Sequence, residues 1–116
     1  MIRAVMHRDA SGAYTGFTCS GHSGYAQAGA DIVCAGVSAL TITCVNALEA
    51  EAGVVPRVKT QEASGYLQAM LPPTLSDPQR HDAQLLLRAT YRGLRDLAES
   101  YPDYLQVSID DRRERS

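Results

Sequence analysis

Residues 14–53 read YTGFTCSGHSGYAQAGADIVCAGVSALTITCVNALEAEAG, and the fold turns on where the periodicity of this stretch changes. Residues 14–20 are rich in Thr, Tyr and Phe, types that suit a pleated, half-buried surface, and they predict a strand. Residues 21–30 carry Gly21, Gly24 and Gly29 among small side chains with no apolar stripe, which reads as a loop. Beyond it Val33, Val37, Leu40, Cys44 and Leu48 recur every three or four residues and so share one face of a helix over residues 32–51. Asp31 is the expected N-cap, because a carboxylate there accepts from unpaired N–H groups, and Gly53 is the expected stop ahead of Pro56.

Working outward, Ile2, Ala4 and Met6 alternate with Arg3, Val5 and His7 before Asp9, Ala10, Ser11 and Gly12 interrupt the pattern. This predicts a first strand and a hairpin turn around Gly12. Downstream, residues 54–60 and 63–71 read as two strands joined near Gln61 and Glu62, with Val55, Tyr66 and Leu67 as core candidates and the Pro72, Pro73 pair as terminator. Ser76 or Asp77, followed by Pro78, opens a second helix in which Leu86, Leu87, Thr90, Leu94 and Leu97 keep helical spacing as far as Ser100. Residues 104–109 alternate again as a closing strand, and residues 110–116 read as a solvated charged tail. The order ββαββαβ predicts an α+β fold, a mostly antiparallel sheet with two helices packed on one face, within a single domain over residues 1–109. Too few large apolar residues remain for a second core on the other sheet face. Dimerisation through sheet or helix stays open.

Composition narrows the function. Hydrophobic residues make up 45% of the 116, but 16 of them are alanine, so the chain supports one modest core. The formal net charge of -2 gives no electrostatic footprint for a phosphate backbone, which argues against direct nucleic-acid binding. The three cysteines, Cys19, Cys34 and Cys44, fit no disulfide framework and point to a reducing compartment. Residues 1–8 do not resemble a signal peptide, and no window approaches a membrane span, so the cytoplasm is the expected location.

Chemistry concentrates in residues 21–40, where His22 follows a strand and Cys34 enters the first turn of a helix. A free thiol with a pKa near 8.5 is only about 3% thiolate at pH 7, so a cysteine nucleophile needs help. The helix N-terminus offers partial positive charge and free N–H groups, and an imidazolium at His22 can pair with the thiolate. Cys34 sits at the margin of the apolar stripe, whereas Cys44 lies within it and Cys19 within a strand, both as packing residues. Asp31 can orient His22 or cap the helix, and Ser38, one turn beyond Cys34, can donate toward the sulfur or bond back to its own helix. His7 and His81 read as solvated.

These residues resemble the signature of the ribosomal-processing cysteine protease family (Prp): a glycine-histidine pair, a short loop, an aspartate, two aliphatics, the catalytic cysteine, small residues and a serine. Here the positions are Gly21, His22, Asp31, Ile32, Val33, Cys34, Ala35 and Ser38. Ser23 and Gly36 depart from the commonest pattern, which has alanine at both. The resemblance implies a bacterial cytosolic endopeptidase that removes the N-terminal extension of large-subunit ribosomal protein twenty-seven. It implies Cys34 as nucleophile, His22 as general base and acid, and a homodimer with a mobile substrate loop over residues 23–30, to which Gly24, Tyr25 and Gly29 belong and Gly21 leads. It implies no cofactor. Two rival readings are a metal site formed by Cys19, His22 and Cys34, which lacks a fourth ligand, and a non-catalytic peptide-binding or ribosome-associated module.

Overall fold

The computed structural model describes residues 1–21 and 28–111, the side chains of residues 28–31 excepted. Its elements are β1 (Ile2–Arg8), β2 (Tyr14–Ser20), α1 (Ala28–Ala52), β3 (Arg57–Gln61), β4 (Tyr66–Met70), α2 (Asp77–Ser100) and β5 (Leu105–Asp111), with a 3-10 turn at Glu62–Ser64 between β3 and β4. The five strands form one mixed sheet in the order β3-β4-β2-β1-β5. Three pairings are antiparallel, and β5 alone joins β1 in parallel because α2 carries the chain back across the sheet before it enters β5. The expected α+β class and ββαββαβ order hold.

The pleat explains why both helices share one face. Ile2, Ala4 and Met6 of β1, Phe17 and Cys19 of β2, Ala69 of β4 and Leu105 of β5 are all buried, and the register sets Met6 beside Phe17 and Phe17 beside Ala69. Onto this face α1 lays Val33, Val37, Cys44 and Leu48, and α2 lays Ala83, Leu87 and Leu94. Each large side chain fully buried here contributes about 1.5–3 kcal/mol by leaving water. The helices also notch into each other: a Cβ on Gly36 would stand 2.9 Å from a Leu97 methyl, and one on Gly93 would stand 2.6 Å from a Leu40 methyl. Gly36, one of the two departures from the family pattern, thus makes room for Leu97.

Several boundaries differ from expectation. Helix α1 begins at Ala28, so Asp31 lies in its first turn rather than at its N-cap, and Gly29 is helical rather than part of a loop. Ala28 and Ala30 are strong helix formers, but alanine beside glycine makes no apolar period in the sequence, so nothing there signals the helix they begin. At the other end Gly53 takes φ 66, its N–H donates to Glu49 O at 3.1 Å, and Val54 N–H donates to Leu48 O at 2.8 Å. That turn buries Val54 and leaves Val55 63% exposed, so Val54 takes the core place expected for Val55. Leu67 packs against the core and Tyr66 is half-buried. The start of α2 carries a capping box on Ser76, whose Oγ accepts from Gln79 N–H while Gln79 Oε1 accepts from Ser76 N–H.

The stretch Ile32–Ala52 reaches a mean hydropathy of 1.7, long and apolar enough by composition to cross a membrane, contrary to the expectation that no window comes near. In this fold it is a core helix, one face of which is covered by the sheet and α2.

The open sheet face holds a second correction. His7 is not solvated but 9% exposed, and the expected tail residues Asp110 and Asp111 belong to β5. His7 Nδ1 lies 3.2 Å from Asp110 Oδ2, His7 Nε2 lies 2.8 Å from Thr18 Oγ1, and Gln68 Nε2 donates to the same Thr18 oxygen at 3.2 Å. One hydrogen-bonded chain therefore crosses four neighbouring strands, β5, β1, β2 and β4. Its bonds close when neutral His7 donates from Nδ1 to Asp110 and accepts at Nε2 from the Thr18 hydroxyl. Beside it Arg8 grips Asp111 through two 2.6 Å bonds. His81 is exposed, as expected.

Candidate functional site

Helix α1 presents Cys34, Val37 and Ser38 on one side, spaced three and four residues apart, toward the end of β2. There a cavity of about 230 Å³ is lined by Ile2, Cys19, Gly21, Cys34, Val37, Ser38 and Gly65. Its floor is apolar, from Ile2, Cys19 and Val37, and its lining includes no charged side chain among the described residues. Cys34 is half-buried in its wall, reachable without being immersed in solvent, and Ser38 is exposed at its rim. A larger concavity of about 480 Å³ lies beside His7, Arg8, Asp9, Thr15, Gln68 and Met70, and none of these carries a thiol nucleophile. Chemistry rather than volume selects the smaller cavity.

The structure separates the three cysteines. Cys19 is 4% exposed and burial pushes its thiol up to about 12, which makes it an inert wall of the cavity at neutral pH. Burial also raises Cys44, which lines an apolar groove between α1 and α2 with Leu40, Leu86 and Thr90. Cys34 lies seven residues into α1, in its second turn rather than its first. The amides that a helix leaves unpaired end at its third residue, here 30, and the dipole effect fades beyond the first turn. The help expected for Cys34 from the helix terminus is accordingly smaller, and more of its activation must come from elsewhere.

Of the expected site residues, Cys34, Ser38 and Gly21 meet at the cavity, and Asp31 and Gly29 belong by backbone to the first turn of α1. His22, Gly24 and Tyr25 lie outside the described residues, as do 23, 26 and 27. Ile2, Val37 and Gly65 also line the cavity, as does Cys19, which the sequence offers as a packing residue or, in the rival metal site, as a ligand. Cys19 was within reach of a sequence argument, since it precedes Gly21 by two residues on the same strand end. Gly65 was not, because only the sheet order brings the β3–β4 turn beside β2. No group of three His, Cys, Asp or Glu residues that could hold a metal occurs among the described residues.

Comparison with known proteins bears on this geometry. A family model described as "Cysteine protease Prp" matches residues 1–106. The ribosomal processing cysteine protease Prp of Bacillus subtilis is 34% identical over 108 residues, covering 93% of this chain and 96% of that protein. The crystal structure of SMU.848 from Streptococcus mutans superposes with a TM-score of 0.84 at 32% identity, over 96% of this chain and 95% of that one. The essential ribosomal processing protease Prp of Staphylococcus aureus, solved with a covalently linked product peptide, gives 0.81 at 26% identity over 95% of this chain and all of that one. With a family match that spans the cysteine, its cavity, both helices and the first four strands, this chain belongs to the Prp family and is a cysteine protease.

Proposed function

We propose that the chain is an endopeptidase in which Cys34 is the nucleophile and His22 the general base and acid, and that it removes the N-terminal extension of large-subunit ribosomal protein twenty-seven. The observation that carries the reading is the half-buried Cys34 in the wall of a cavity that Gly21, the residue before His22, also lines. His22 takes the proton of Cys34 and the thiolate attacks the scissile carbonyl, forming a C–S bond. The C–N bond then breaks as His22 returns the proton to the leaving amine, and water hydrolyses the thioester to free Cys34. Free amides at the start of α1 supply hydrogen-bond donors for the oxyanion, Asp31 orients the base, and Ser38 supports the sulfur from one turn along.

The substrate follows from charge and shape. A cavity of about 230 Å³ with an apolar floor and no charged lining among the described residues suits an apolar peptide arm and not an RNA, in keeping with the net charge of -2. The Bacillus subtilis and Staphylococcus aureus relatives are ribosomal processing proteases, which supports a bacterial, cytoplasmic enzyme acting on a free precursor. We infer that residues 1–109 work as one catalytic domain and that the enzyme is a homodimer, supported by the outer face of α1, where Ile32 and Ile42 are 55% and 54% exposed.

The test is incubation with a synthetic peptide spanning the extension and the first mature residues. The natural chain should cut at one bond and Cys34→Ala at none. Equal cleavage by both refutes the nucleophile, and binding without cleavage by the natural chain favours a peptide-binding module.

A further inference from the structure

Three backbone segments converge on Gly21, where β2 ends. Its N–H donates to Ser64 O at 3.1 Å, the last carbonyl of the 3-10 turn between β3 and β4. That turn is closed by Gly65 in the left-handed region at φ 63, whose own N–H returns to Glu62 O. On its other side Gly21 meets the first residue of the chain: a Cβ there would stand 2.6 Å from the Met1 carbonyl oxygen and 3.8 Å from Ile2 Cα. These are backbone atoms held by the Ile2 N–H bond to Tyr104 O at 2.8 Å, so they cannot swing aside as a side-chain methyl does. Gly21 itself has φ +91, a conformation that L side chains rarely adopt.

We propose that Gly21 is a positioning residue of the reaction: a pivot, locked between the Met1 carbonyl and the Ser64 carbonyl, that sets the direction in which the chain leaves β2 toward His22. The β3–β4 turn is the strut of this pivot. The inference rests on His22 as the base of Cys34 and adds what holds the described end of its segment. A Cβ on Gly21 meets backbone rather than side-chain atoms, so any substituent there displaces the pivot itself. Gly21 and Gly65 line the same cavity as Cys34, so the pivot is part of the cavity wall and not remote from it.

Gly12 supplies a matched control. It has φ +89 in the β1–β2 turn, and nothing lies within 4 Å of the Cβ it lacks. Gly12→Ala therefore imposes the same backbone strain without a clash and away from the site. Iodoacetamide alkylation of Cys34 across pH 5–9 and turnover of the extension peptide are to be compared in Gly21→Ala, Gly12→Ala and His22→Ala, each at a temperature where circular dichroism shows it folded. Gly12→Ala should lower Tm yet leave kcat and alkylation within twofold of the natural chain. Gly21→Ala should lose at least 100-fold in kcat with KM changed less than threefold, and its alkylation pH profile should coincide with that of His22→Ala. Equal kcat in Gly21→Ala and Gly12→Ala overturns the pivot. If His22→Ala alkylates and turns over like the natural chain, the base assignment fails instead, and the two failures are thereby distinct. Should Gly21→Ala not fold, Gly65→Ala carries the test, because it displaces the Ser64 carbonyl; a kcat no lower than that of Gly12→Ala then overturns the proposal.

Discussion

His7 Nδ1 stands 3.2 Å from Asp110 Oδ2, and through that bond the last strand of the sheet is fastened to the first. The same ring reaches Thr18 on β2 at 2.8 Å, and Thr18 in turn receives Gln68 of β4. The chain of bonds lies on the sheet face opposite the helices and therefore on the face opposite Cys34.

Thr18→Val removes the hydroxyl that links His7 to Gln68 and leaves a largely buried imidazole nitrogen without its partner. A stability loss of about 1–3 kcal/mol is expected from the unsatisfied group. Urea denaturation should show it as a lower midpoint, while the alkylation rate of Cys34 stays within twofold. A variant as stable as the natural chain would show that the network contributes nothing net.

Cys19 gives the fold an alkaline limit. Its thiol is raised by burial to about 12, above its ordinary value of 9.0, so between these pH values the unfolded chain gives up a proton that the folded chain keeps. The stability tied to the neutral thiol is fully present below pH 9 and falls as pH rises toward 12, at a limiting slope of about 1.4 kcal/mol per pH unit. Cys19→Ala should flatten this part of the curve of urea midpoint against pH. An unchanged slope would mean that other groups set the alkaline limit.

His22→Ala is expected to lower kcat for the extension peptide by at least about 100-fold, the usual scale for a lost general base. Cys34→Ser keeps the geometry of the site but replaces the thiol with a hydroxyl of far higher pKa, and it should show no turnover above background. Mass spectrometry of the cleaved peptide, resolved in time, checks both. Activity retained in Cys34→Ser would remove the thiolate from the mechanism.

Ile42→Glu places a charge on the exposed, uncharged side of α1 without touching the buried stripe of Val37, Cys44 and Leu48. If this face joins two copies, sedimentation should show a dimer for the natural chain and a monomer for the variant, with an unchanged far-ultraviolet spectrum. A dimer that survives the substitution places the interface elsewhere.

Much of the fold was legible because period is a local property. The alternation of Ile2, Ala4 and Met6, the run of Val33, Val37, Cys44 and Leu48, and the Ser76 and Pro78 signals each report one element through the face it buries. They locate β1, the body of α1 and the start of α2. The start of α1 is not legible because Ala28, Gly29 and Ala30 make no apolar period in the sequence, and Val54 rather than Val55 enters the core because Gly53 turns the chain there.

The order of residues alone determined that a cysteine at the edge of an apolar helix face stands twelve positions after a glycine-histidine pair, and hence the chemistry on offer. Only the tertiary structure decided what surrounds that cysteine. Antiparallel pairing of β2 with β4 brings Gly65 and Ser64 to the end of β2, and pairing of β1 with β2 brings the Met1 carbonyl there, although these residues lie far apart in the chain. The same parallel pairing that joins β5 to β1 buries His7 against Asp110. Register is set by which faces the whole sheet must bury together, a condition that no single segment of sequence contains.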